Sequence, residues 1–88
     1  MNSYIISYDL MAPNKDYSSL ISAIKSYGTY AKVLESCWII KSNDSSSTIR
    51  VYLSSYMDSN DRIFIAKLAG EASWQNVLCT NDWLKGNL

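Results

Sequence analysis

The chain has 88 residues, eight basic against eight acidic side chains, and no histidine. That length makes one small domain over residues 1–88, with no room for a second core. Without histidine there is no Ser-His-Asp or Cys-His pair, no imidazole base and no histidine-containing zinc site.

The opening run Ser3-Tyr4-Ile5-Ile6-Ser7-Tyr8-Asp9-Leu10 reads as a strand of β-branched and aromatic residues ending on a carboxylate. A turn over Met11-Ala12-Pro13-Asn14-Lys15 follows, with Asp16 as the N-cap of a helix. Tyr17, Leu20, Ile21, Ile24 and Tyr27 give that helix one apolar face, and Gly28 ends it. From Thr29 to Ser42 the pattern is strand in two runs, Tyr30-Ala31 with Val33-Leu34, then Cys37-Trp38-Ile39-Ile40. Glu35-Ser36 between them is a tight turn or a bulge. A polar stretch over residues 43–47 supplies N-caps for a second helix carrying Ile49, Tyr52, Leu53, Tyr56 and Met57. Asp58-Ser59-Asn60-Asp61 stops this helix, and Arg62 to Leu68 forms the last clear strand. In residues 69–88, Glu71 to Cys79 is expected to make a short edge strand and Asn81 to Lys85 one helical turn.

The order strand, helix, strand, strand, helix, strand predicts an α+β fold. It is the ferredoxin-like βαββαβ sandwich, an antiparallel sheet with two helices on one face, plus a short C-terminal extension. Alternation puts Tyr4, Ile6 and Tyr8 on one side of the first strand and Ile5, Ser7 and Asp9 on the other. In the last strand Ile63 and Ile65 oppose Phe64, Ala66 and Leu68. The second face is therefore apolar enough to need a cover, from the C-terminal segment with Trp74 and Trp83 or from a second copy. A homodimer is the favoured expectation.

Cys37 and Cys79 are too far apart in sequence for a metal knuckle. The N-terminus lacks a basic segment followed by an apolar block, so free thiols in a cytoplasmic protein are expected. No apolar run is long enough to span a bilayer. The basic residues are scattered, which disfavours sequence-independent gripping of phosphates by one chain.

Tyr8-Asp9-Leu10 ends the first strand, a helix closing on Tyr27-Gly28 follows, and Ser36-Cys37-Trp38-Ile39 sits in the strand pair. This succession, over about residues 3–68, resembles the small Cas2-like proteins, the group that includes the CRISPR-associated Cas2 proteins and the VapD toxins. The resemblance implies a homodimer built sheet to sheet, with the aspartate ending the first strand contributed by both subunits near the two-fold axis. It also implies a divalent cation there, Mg²⁺ or Mn²⁺, for phosphodiester cleavage. The matching residue is Asp9, as metal ligand and catalytic group.

The family's basic residues after that aspartate and on the first helix are represented here by Lys15 and Lys25. With Tyr30, in the Tyr27-Gly28-Thr29-Tyr30 segment whose aromatics around a glycine are suited to stacking a base, they are the candidates for nucleic-acid contact. The expected function is a small dimeric nucleic-acid-handling protein with weak metal-dependent endonuclease activity. The alternative is a non-catalytic dimeric module or scaffold that docks a partner protein.

Overall fold

Alternating side chains in the opening segment produce β1 (Asn2–Asp9), which buries Tyr4, Ile6 and Tyr8 on one face. The computed structural model describes residues 1–12 and 15–88. Pro13 and Asn14 of the expected turn lie outside the described residues. The elements that follow are α1 (Ser18–Lys25), β2 (Tyr30–Leu34), β3 (Cys37–Ser42), α2 (Ser46–Ser54), β4 (Arg62–Lys67) and α3 (Asn81–Asn87). The result is an α+β domain around one four-stranded antiparallel sheet of order β2-β3-β1-β4.

Register fixes which residues share a row. Ile6 lies opposite Trp38 on one side and Ile65 on the other, and Ser7 opposite Cys37 and Phe64. On the first face Tyr4, Ile6, Tyr8, Trp38 and Ile40 pack against Leu20, Ala23 and Ile24 of α1 and Ile49 and Leu53 of α2. Each fully buried Leu or Ile here contributes about 1.5–3 kcal/mol.

The helix ends follow local chemistry. Tyr17, not Asp16, occupies the N-cap position of α1, but the Asp16 carboxylate accepts from the Ser18 amide at 2.9 Å. That bond meets one of the free first-turn donors and holds the Asp16 carboxyl below its usual value. Gly28, at φ +87°, takes the left-handed position after α1. Ser45 caps α2 by accepting from the Thr48 amide at 3.2 Å. Of the two readings of the β2–β3 junction, the tight turn holds and the bulge lies elsewhere, inside β2. Glu35 and Ser36 make the turn, and the register also shifts between Lys32 and Leu34.

The C-terminal segment departs from expectation. Glu71 to Cys79 forms no strand. Its apolar residues Trp74 and Val77 do not alternate, and Asn76 at φ +56° turns the chain out of an extended path. The segment instead crosses the second sheet face, where Trp74, Val77 and Cys79 pack with Val33, Ile39 and Leu84. The Leu78 amide donates to the Val33 carbonyl at 2.9 Å. α3 runs past the single turn expected, capped by Thr80 accepting from the Trp83 amide at 3.1 Å. Leu84 of α3 is buried, and the Ser3 hydroxyl donates to the Asn87 carbonyl, tying α3 to β1.

The second face thus has a cover over β2 and β3 that reaches Ile5 of β1 and Leu68 just after β4, supplied by the chain itself. Beneath it remains a half-open apolar cavity of about 330 Å³ that includes Ile5, Val33, Cys37, Ile39, Trp74 and Leu84 in its lining. Among the described residues no helix is long and apolar enough to cross a membrane.

Candidate functional site

The cover stops short of the end of β1. There Asp9 pairs in register with Arg62, and its Oδ2 lies 3.7 Å from Arg62 Nη1. Both side chains are about two-thirds exposed, at 67% and 70%, so this ion pair is loose and solvated. One row back on the same face, Ser7 and Phe64 lie side by side, both exposed. Ser7, Tyr8, Asp9, Arg62, Ile63 and Phe64 line a shallow groove of about 150 Å³. Strand geometry explains the placement: Asp9 follows Ile5 and Ser7 at period two, and Arg62 precedes Phe64 in the same way.

Beside this groove a second carboxylate is fully engaged. Asp61 accepts from the Met11 amide at 2.7 Å, the Tyr17 hydroxyl at 2.8 and 2.9 Å, and the Asp58 amide at 2.8 Å. Partial burial works to raise the Asp61 carboxyl. The amides of Met11 and Asp58, the Tyr17 hydroxyl and the nearby Lys15 charge outweigh it, and the carboxyl sits below its usual value. Desolvation, with the Asp61 carboxylate as its hydrogen-bond partner, pushes the Tyr17 phenol up.

Asp61 is a latch between the β1–α1 loop and the start of β4. Sequence reading placed only a helix-stopping turn at Asp58 to Asp61. A Met11 partner 50 residues away leaves no local signal.

Lys15 stands at this end of the sheet, but its ammonium contacts Asp58 Oδ1 at 2.7 Å and lies 5.3 Å from the centre of the Tyr17 ring. Lys25 ends α1 and Tyr30 begins β2, and Tyr30 is level with Tyr4 rather than with Asp9. Five residue steps along the strand separate those levels, roughly 17 Å. The expected contacts therefore divide between the two ends of the sheet: Lys15 lies at the same end as Asp9 but is engaged by Asp58 and Tyr17, while Lys25 and Tyr30 lie away from that end. Sequence reading missed Arg62 and Phe64 as site residues. Their position on the last strand and their parity with Asp9 carried the signal.

Among the described residues, no three His, Cys, Asp or Glu side chains converge to hold a metal ion. Asp9 offers one exposed carboxylate, which fits as part of a cation's oxygen shell and needs further ligands from outside its own chain. Cys37, buried beside the cavity, has its thiol pushed up by desolvation, which suits packing rather than nucleophilic attack. No protein-family model matches the chain.

Proposed function

We propose that this chain is a Cas2-like, ferredoxin-like protein that handles nucleic acid as a homodimer, with weak metal-dependent endonuclease activity centred on Asp9. The strand order β2-β3-β1-β4, with helices after β1 and β3, supports the ferredoxin-like assignment. One observation carries the functional reading. Asp9 stands exposed at the end of central strand β1, on the part of the sheet face that the C-terminal segment leaves open.

Two copies meeting through that open part bring two Asp9 carboxylates together, where their mutual repulsion favours a shared Mg²⁺ or Mn²⁺. When bound, such a cation neutralises a scissile phosphate and activates water. The chain's own part is to hold the ion through Asp9. Arg62, now the partner of Asp9, is released to a phosphate oxygen.

A second reading, the non-catalytic dimeric interaction module, is favoured by one feature. Arg62 already balances Asp9, and Lys15 is held by Asp58.

Incubation of the purified protein with RNA and DNA strands in Mg²⁺ or Mn²⁺ tests the first reading. Cleavage that stops with chelator and with Asp9→Asn supports it, together with a dimer in sedimentation at micromolar concentration. Cleavage retained by Asp9→Asn removes Asp9 from the site. A monomer removes the shared cation. A dimer that cleaves nothing leaves the module.

A further inference from the structure

We infer that the apolar cavity beneath the C-terminal cover binds a small neutral apolar molecule, about the size of two fused rings. The site is separate from Asp9 and does not depend on the nucleic-acid reading.

Protein interiors leave few voids larger than a water molecule. A space of about 330 Å³ against the buried side chains of Val33, Ile39 and Leu84 therefore calls for an occupant. Water suits it poorly, because a buried water needs about two to four polar partners. Of the polar side chains in the lining, Ser73 and Gln75 are exposed. The Trp74 indole N–H is already donated to Asn81 Oδ1 at 2.9 Å. The Cys37 thiol is only a weak hydrogen-bonding group. Water held so loosely is displaced with a gain in affinity by an apolar ligand.

The lining also sets the ligand's charge and size. No lining side chain is charged, so a charged ligand would shed its water and meet no counter-charge. A dry apolar cavity of about 150 Å³ takes one benzene. About twice that volume is present here, enough for two fused rings.

The cover is tied to β2 by the Leu78 amide on the Val33 carbonyl, and to α3 by Trp74 on Asn81. Its backbone over residues 69–80 is neither helix nor strand, so it can shift to admit a ligand without breaking either. The exposed lining residues, Leu34, Ala72, Ser73 and Gln75, belong to edge strand β2 and to the cover. None belongs to β1 or β4, so two copies meeting around Asp9 leave this rim free.

The test is a fluorescence titration with 2-naphthol, a neutral two-ring probe, and with the anion 2-naphthoate. Wild type is expected to saturate at one 2-naphthol per chain, with affinity unchanged by salt and 2-naphthoate much weaker. Ala72→Trp, a bulky side chain on the rim, should weaken binding at least about tenfold. Val51→Trp, equally exposed but on α2 and outside the cavity, should not. Because Ala72 is exposed, Ala72→Trp should melt with wild type; should it fail to fold, Leu34→Trp takes its place. Bound 2-naphthol bridges cover and sheet, so it should also slow hydrogen exchange of the Leu78 amide.

Binding that does not saturate, that survives both rim substitutions, or that is as tight for 2-naphthoate overturns the inference. So does an unchanged Leu78 exchange rate at saturation, which would put the probe elsewhere. If wild type is a dimer that takes no probe and Ala72→Trp makes it a monomer, the cavity is filled by a second copy and the inference fails.

Discussion

Trp38 Nε1 donates to the Tyr8 hydroxyl at 3.0 Å, a buried side-chain bond between neighbouring strands of the sheet. The phenol would otherwise bring an unpaired polar atom into the core, and the indole likewise. Burial raises the Tyr8 phenol above its usual value, against the opposing influence of the Trp38 bond. Tyr8→Phe keeps the ring and strands the indole N–H. We expect a loss of about 1–3 kcal/mol, read as a lower midpoint in urea with unchanged slope.

The Asp61 latch predicts an acid-sensitive component of stability. Its folded carboxyl lies below the ordinary aspartate value of 3.8. A depressed carboxyl stabilises fully above the unfolded value and loses that contribution as pH falls through the folded value. Asp61→Asn should therefore be less stable than wild type near pH 7. The gap should begin to close below about pH 4. Melting curves over a pH series check this, and a gap independent of pH would remove Asp61 as its source.

Gly28 has open space where a Cβ would stand, so a side chain there meets no clash, only the strain of φ +87°. Gly28→Ala should cost about 1–2 kcal/mol, and Gly28→Asn less. Equal melting temperatures for the three proteins would contradict a conformational origin.

Leu84 anchors the C-terminal cover against Val33 and Ile39. Leu84→Ala should cost about 2–5 kcal/mol, or release the cover while the helix-side core persists. Hydrogen exchange separates the two: release speeds exchange of the Leu78 amide, bonded to Val33, ahead of the β1 and β3 amides.

Local periodicity made much of this fold legible. The face assignments of Tyr4, Ile6 and Tyr8, and of Ile63 and Ile65 against Phe64, follow from period two and match the packing. The apolar face of α1 follows from its helical spacing. What was illegible is what depends on distant partners. Asp61 reads as a turn residue until Met11 and Tyr17 are folded against it. The Trp74–Val77 segment carries apolar residues without the rhythm that would say which surface they meet. At the candidate site Asp9 was visible as a strand-end carboxylate. Arg62 and Phe64 required knowing that β4 lies beside β1.

The hydroxyl of Ser3 and the carbonyl of Asn87 place the two ends of the chain side by side. A short peptide from Leu88 to Met1 would thus close the backbone into a ring with little disturbance, and fresh ends could be opened at the exposed Asn43-Asp44 turn. In such a permutant the chain would start on α2 and finish on β3, yet the same neighbours would meet. For this domain the order of elements along the chain is a matter of where the ring is cut, and the order of strands across the sheet is not.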